Sequence, residues 1–453
     1  MAGTTRRVLL AIGLGWLGAS ALLADDVIER YDDGKIKERY ATDAEGRKHG
    51  KYLAHHPNGK VAVRGQYKAG QLDGLQTYFW DSGKVRLKAE YREGKLHGAY
   101  AETDEKGNLL KEQVFWNDQL LYPKSGRQIN EALNKIMGSF GIDAPGMIRG
   151  AAPRGNRRPG GQGGGAGPAG ASTLRTTDHV VAQAAQAATD PLRDPTNLYA
   201  LARLNAYRYL CDVPHDIKLD PAQCGSALAA AQLCARLGHL DHYPTNPGLP
   251  EDQFKKAYYG TSHANLAQGR ATRGSVDMYM EDSDPSNIAR VGHRRWCLNP
   301  SMVTTGFGES GEFSAMMVDS ADRKDVPDYD YVSYPPRGLL PLDFFHYRHA
   351  WHVSVNPSHY AKPDPAAVKA TVWPVRPGRN PTDADPERRA KEPLPLDHFN
   401  VSLDGCGIPN AVIFRPVLPG LKAGDRFWVE ITGLKKTDGT AVTIAYMVEF
   451  MDL

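Results

Sequence analysis

Glycine and aromatic residues recur at a fixed interval near the start of this 453-residue chain, and that period limits its fold more than any other feature. Gly50, Gly74 and Gly98 are 24 residues apart, as are Gly59, Gly83 and Gly107, Gly46, Gly70 and Gly94, and Tyr67, Tyr91 and Phe115. Each unit carries a Gly-Lys or Gly-Asn turn and then an alternating segment that ends in an aromatic, such as Gly83-Lys84-Val85-Arg86-Leu87-Lys88-Ala89-Glu90-Tyr91. Alternation between glycine turns predicts β-hairpins. One hairpin cannot bury a face alone, so successive units must stack into an elongated sheet. The first unit is imperfect, because Gly34 precedes Gly59 by 25 positions. Asn130 to Met137 reads as a short helix closing the sheet.

From about Tyr31 to Tyr122 the pattern resembles the bacterial variant of the membrane occupation and recognition nexus (MORN) repeat. The resemblance implies a regular surface of Tyr, Phe, Trp and Lys that recognises a protein or an anionic lipid headgroup. A rigid spacer is the plainer alternative, and it outweighs the lipid reading because no second membrane signal accompanies the repeats.

Compartment and connections follow from composition. Arg6-Arg7, the apolar run Val8 to Leu23 and a small-residue position at Ala19-Ser20-Ala21 or Ala24 read as a signal peptide over 1–24. An uncleaved anchor is the alternative, and Thr5-Arg6-Arg7 is too short a match for a twin-arginine signal. No later stretch is as apolar, so the mature chain is expected to be soluble and either secreted or held in the periplasm or cell envelope. The repeats occupy 25–137. A Gly/Pro/Arg-rich linker over 138–190 follows, with Arg154, Arg157 and Arg158 read as solvated or in peripheral contact with an anionic envelope. The net charge of +3 gives no footprint of a specific nucleic-acid site. Five cysteines are too few for a disulfide scaffold. Cys211 and Cys224 are spaced so that they could bridge, while Cys234, Cys297 and Cys406 lack the short paired spacings of structural zinc.

Beyond the linker, helical patterns run from Leu198 to Leu210, with Asn205 and Arg208 on the polar side, and from Leu219 to Leu237, where Asp220 caps and Pro221 opens. Then come His239-Leu240-Asp241-His242-Tyr243-Pro244, His263-Ala264-Asn265-Leu266-Ala267 and Val291-Gly292-His293-Arg294-Arg295-Trp296, the last leading into Gly306-Phe307-Gly308. This series resembles the CAP superfamily of cysteine-rich secretory, antigen 5 and pathogenesis-related 1 (SCP-like) proteins. The resemblance implies an α-β-α sandwich over 191–325 with His242 facing His293 across a cleft that Asn265 and Arg294 help to line. Ala264 stands where the family has glutamate. A second acid is expected before the Gly-His-Arg segment, and Glu281, Asp282 and Asp284 compete for that place. With His242 and His293 as the histidine pair, a divalent metal such as zinc would be bound only weakly. A structural role for each histidine weighs about equally.

Residues 326–453 read as a β-rich, sandwich-like extension packed on the α-β-α domain. Its end is a hairpin, with Phe427, Val429 and Ile431 alternating before the Asp438-Gly439 turn and Val442, Ile444, Tyr446, Val448 and Phe450 after it. The fold class is therefore α+β and multidomain. His346, His349 and His352 form a weaker rival site, since on a strand His349 would point away from the other two.

Two function classes remain. One is a binding or scaffolding protein for a protein, peptide or lipid ligand. The other is a metal-assisted, peptidase-like hydrolase with His242, Glu281 and His293 as candidate catalytic residues. The missing carboxylate at Ala264 favours binding, and no nucleophile elbow or phosphate loop supports another enzyme class. Limited proteolysis is expected to cut first between Gly138 and Thr173 and release two resistant fragments. Resistance throughout that tract would overturn the domain division.

Overall fold

The computed structural model describes residues 26–142, 190–376 and 385–453. The segment read as a signal peptide and nearly all of the expected linker fall outside the described residues. The chain divides into two compact units, one running to Gln128 and including Val375–Arg389, the other built from Ile129–Pro374 and Ala390–Leu453.

The first unit is a ten-stranded antiparallel sheet from Asp26–Arg30 to Gln119–Tyr122. Two kinds of turn join its strands. In the wider kind, at Tyr31–Lys35, Asp43–Arg47, His56–Lys60, Trp80–Lys84 and Asp104–Asn108, the first residue's carbonyl accepts from the glycine N–H and its own N–H donates to the fifth residue's carbonyl. Gly34, Gly46, Gly59, Gly83 and Gly107 hold φ of +77° to +91° there. In the tighter kind, Ala69-Gly70, Glu93-Gly94 and Asn117-Asp118 all have positive φ, the type I′ geometry that matches strand twist. Gly46 keeps the interval of Gly70 and Gly94 but sits in the wider turn, which is why the first unit departs from the pattern.

The period also sews neighbouring turns together. Lys35, Lys60 and Lys84 donate through Nζ to the carbonyls of Pro57, Ser82 and Glu105 at 3.1, 3.0 and 2.9 Å. On the opposite side, the amides of Gly70, Gly94 and Asp118 donate to the carbonyls of Lys48, Leu72 and Leu96. These lysines therefore serve cohesion between repeats and have that much less to offer an anionic surface.

Helix α1 (Gly126–Gly138) differs from expectation. Its buried face, Ile129, Leu133 and Met137, belongs to the main core of the second unit, and Phe140 and Ile142 of the expected linker pack there too. Its apolar stripe is thus buried within the second unit, where the sequence led one to expect a cap on the repeat sheet.

In the second unit, α2 (Pro195–Leu210) opens with the Asp194 side chain accepting from the Thr196 amide. Twelve of its sixteen residues are buried, so the helix has no solvent face. Asn205 and Arg208, expected on a polar side, are buried and bonded to backbone: Asn205 to both groups of Ile217, Arg208 to the carbonyls of Pro214 and Cys297. Helix α3 (Pro221–Leu237) has the expected ends, an Asp220 cap and left-handed Gly238. Helices α4 (Glu251–Ser262), α5 (Thr272–Glu281) and α6 (Gly292–Cys297) follow.

A three-stranded sheet in the order Ala264–Gln268, Phe313–Met317, Phe307–Ser310 lies between the helices. Ala264, Leu266, Phe313, Ala315 and Met317 pack on Ala227, Ala230 and Cys234 of α3. Ala267, Phe307 and Met316 point into the other core, with Val276, Tyr279 and Met280 of α5. This is the α-β-α sandwich, and the two-residue alternation builds it. Gly306 and Gly308 allow α3 to lie on the strand backbone: a Cβ on them would stand 2.1 Å from the Cys224 amide nitrogen and 2.2 Å from that of Leu228.

The extension forms two four-stranded sheets, one ordered Tyr331–Tyr334, Trp351–Val355, Ala411–Pro416, Leu396–Ser402 and the other Gly338–Pro341, Ala441–Met451, Arg426–Lys435, Lys369–Val375. Trp351, Val353, Val412 and Phe414 of the first share one core with Phe427, Val429, Tyr446 and Val448 of the second, and the Trp351 and Phe427 rings meet edge to face at 5.7 Å. The other side of the first sheet carries Ala411 and Ile413, which pack on Ile288 and Val291 beside the Gly-His-Arg segment. Sandwich and extension thus form a single compact unit. None of the five cysteines is in a disulfide, so Cys211 and Cys224 do not bridge.

Candidate functional site

The loop between α5 and α6 is set by two residues in the left-handed region, Asp282 (φ 41°) and Val291 (φ 43°). For a β-branched residue this conformation costs about 1–2 kcal/mol. It persists because Val291 is fully buried against Ile288, Ala350, Ala411 and Ile413. The strained turn delivers Gly292 and His293 to the cleft.

His293 is held from three sides. Its Nδ1 lies 2.8 Å from Asp282 Oδ1, its carbonyl accepts from Asn265 Nδ2 at 3.0 Å, and the Tyr279 ring is 5.7 Å away, with the Tyr279 hydroxyl donating to the Asn265 carbonyl. His242 Nδ1 lies 2.7 Å from the Thr261 carbonyl. A carbonyl can only accept, so Nδ1 of His242 carries hydrogen, and a carboxylate imposes the same tautomer on His293. Each neutral ring keeps Nε2 as its remaining acceptor.

His242, Tyr243, Asn287 and His293 line two adjoining cavities of about 520 and 490 Å³. Leu266, Ala267 and Gln268 border the first, Ala264 and Asn265 the second, so the groove follows that strand. Of the three competing acids, Asp282 is the one bonded to His293. Asp284 borders the groove but accepts from Ser286 and Asn287; burial pushes its carboxyl up, and these bonds outweigh that and hold it below the usual range. Glu281 lines a different cavity.

Arg294 is not in the cleft. It is fully buried, its guanidinium donating to the carbonyls of Met280 (2.7 Å), Glu281 (2.5 Å) and Ala350 (2.6 Å), while its amide donates to Asp282. Arg295 is equally buried and donates to the Ile408 and Asp404 carbonyls and to Ser402 Oγ. The two arginines rivet the Gly-His-Arg segment to the extension. Sequence reasoning missed Tyr243, 71 % exposed at the groove's edge, and Cys406 of the extension, which lines the second lobe. Tyr243 lay in the His-Tyr-Pro motif without an assigned role; nothing local marks Cys406.

A metal finds too few donors. His242 and His293 line the groove, Asp282 is engaged with His293 Nδ1, and Ala264 packs among alanines of α3. Among the described residues no group of three or more His, Cys, Asp or Glu is placed to hold an ion. Of the rival histidines, His346 and His349 have rings 6.0 Å apart and line one cavity, but His352 is not among its lining residues. His349 packs on Phe345, while His352, on the strand Trp351–Val355, is fully buried with neither ring nitrogen hydrogen-bonded.

Residues 48–69 and 72–93 match the family model described as MORN repeat variant. No curated protein matches the chain. Two solved structures similar to it are an extracellular protein containing an SCP domain from Bacillus anthracis str. Ames (12 % identity, 66 % of this chain and 85 % of that one, TM-score 0.20) and a cysteine-rich secretory protein from Staphylococcus aureus subsp. aureus Mu50 (9 % identity, 65 % and 78 %, TM-score 0.18). Their superpositions are too loose to transfer any residue's role.

Burial, then the nearby guanidinium of Arg294, holds the His349 and His352 rings well below the usual histidine range. The folded chain therefore refuses protons that the unfolded chain accepts below about pH 6.5, so stability is full above that pH and falls as pH drops. Each ring contributes about 1.4 kcal/mol per pH unit. Chemical denaturation from pH 7 to 5 should show this loss, with roughly half the slope in His352→Leu; an unchanged slope would refute the assignment. Calorimetric titration should find only weak zinc binding, lowered further by His293→Ala and raised by Ala264→Glu at some cost in stability. Tight stoichiometric binding that survives His293→Ala would place the metal elsewhere.

Proposed function

We propose that the groove between His242 and His293 binds an extended peptide segment of a partner protein, and that the chain is a secreted or envelope-associated binding and scaffolding module with the repeat sheet as its second surface. The observation that carries this reading is the course of the groove along Ala264–Gln268, a strand at the edge of its sheet. Five residues of strand span roughly 16 Å, enough for about five extended residues. Its lining of imidazole, amide, carboxylate and tyrosine suits the polar backbone of a peptide better than an acyl chain. Exposed Tyr243 offers an anchor of low conformational cost. Consistent with a protein outside the bilayer, no helix among the described residues is long and apolar enough to cross a membrane.

A hydrolase reading keeps one specific support, the contact between His293 Nδ1 and Asp282, which leaves Nε2 to take a proton from water. With no third donor for a metal, no step is assigned to one. Peptides selected from a display library against the full chain, followed by fluorescence anisotropy, separate the readings. Tyr243→Ala and His293→Ala should each weaken binding about tenfold. Affinity unaffected by both would sink the peptide proposal. Cleavage of a quenched peptide library, lost in Asp282→Asn, would favour hydrolysis.

A further inference from the structure

A separate cavity of about 270 Å³ lies beside α5 and is walled on its far side by the extension segment Asp343–His349. It is slightly smaller than the roughly 300–1,000 Å³ of drug-sized sites, so its occupant is small. Its floor is a built polar group: Arg203, 1 % exposed, donates Nε to Asp277 Oδ1 at 2.7 Å, and the Tyr207 hydroxyl donates to the same oxygen at 2.7 Å. The Arg203 guanidinium carbon lies over the Phe344 ring, 3.8 Å from its centroid, and the guanidinium donates to the Asp343 carbonyl at 2.6 Å. Both of those donors to Asp277 act on one oxygen, so Oδ2 of this carboxylate, which is only 18 % exposed and belongs to a residue lining the cavity, keeps acceptor capacity.

Around the mouth stand Glu281, Arg270 and Arg348. The Glu281 carboxylate and the Arg270 guanidinium share the cavity and yet form no hydrogen bond or ion pair with each other or with any described residue. Arg348 is exposed and donates Nε to the Tyr347 hydroxyl, with its terminal nitrogens left over. The cavity thus presents carboxylate acceptors and guanidinium donors together, with Met278 and Phe344 as apolar wall. A lone anion would meet the acids, a lone cation the arginines, and an acyl chain both.

We infer that this cavity binds a free α-amino acid with an apolar side chain, its ammonium held by Asp277 and Glu281, its carboxylate by Arg270 and Arg348. Bidentate guanidinium pairing suits a carboxylate, and charge-assisted bonds of this kind are the strong ones. Of its lining residues only Met278 also borders the groove, although α5 serves both: Glu281 lines this cavity and the next residue, Asp282, holds His293.

Isothermal titration of the full chain with L-leucine, N-acetyl-L-leucine and L-leucinamide tests the inference. L-Leucine should bind, and each derivative, lacking one charge, should bind about tenfold more weakly or worse. Glu281→Gln should erase most of the penalty for acetylation, and Arg348→Gln most of the penalty for amidation, both on surface positions whose folding is checked by circular dichroism. His293→Ala should leave L-leucine binding unchanged, which separates this site from the peptide groove. No binding of L-leucine at millimolar concentration, equal binding of either derivative, or loss of binding in His293→Ala would overturn it.

Discussion

The guanidinium of Arg294 is the interaction on which the second unit depends. It is buried completely, and the backbone carbonyls it serves come from the end of α5 and from Ala350 at the head of an extension strand. The Tyr334 ring lies 4.8 Å from its centre. A buried charge is tolerated only when its donors are satisfied, and its loss would strand three carbonyls as well as the ion's neighbours. Asp282, also buried, accepts the Arg294 amide and so owes its place to the same residue that it helps to neutralise. Remove this cation and the left-handed turns at Asp282 and Val291 lose the framework that keeps them strained.

The two units differ in how far their interactions reach along the chain, and that difference decides what was legible beforehand. In the repeat sheet, Lys60 bonds to Ser82, 22 positions away, and the same bond returns one period later from Lys84 to Glu105. Recurrence made the hairpins readable, and alternation did the same for the final hairpin. Arg294 bonds to Ala350 across 56 positions, and Arg295 to Ile408 across 113, each once. A contact made once between distant segments leaves no pattern. Hence the packing of the extension on the sandwich was legible only as a whole, without the arginines that make it, and the attachment of α1 to the same core could not be read.

The site divides in the same way. His242, His293, Asn265 and the absence of a carboxylate at Ala264 were named from motifs, because each lies in a short run with its own signature. The choice among Glu281, Asp282 and Asp284 was not available, since one residue along a helix turns a side chain by about 100°. Glu281 looks into one cavity. Asp282, left-handed at the helix end, looks toward His293. Arg294 was placed in the cleft because a cation beside a histidine suggests a ligand contact, whereas its surroundings are carbonyls that only a buried donor can satisfy.

These constraints bear on chemistry as well as architecture. A general base works best where water is excluded and its partner is fixed; His293 has the fixed partner, but its ring opens on a groove shared by two broad lobes. The tight, dry part of the unit is behind it, at Arg294, Arg295 and His352, where no ligand can reach. Rigidity is thus invested in holding a receptive surface in register rather than in enclosing a reacting bond. On the proposed peptide-binding reading, that arrangement would lower the entropic cost of ordering a bound chain along Ala264–Gln268.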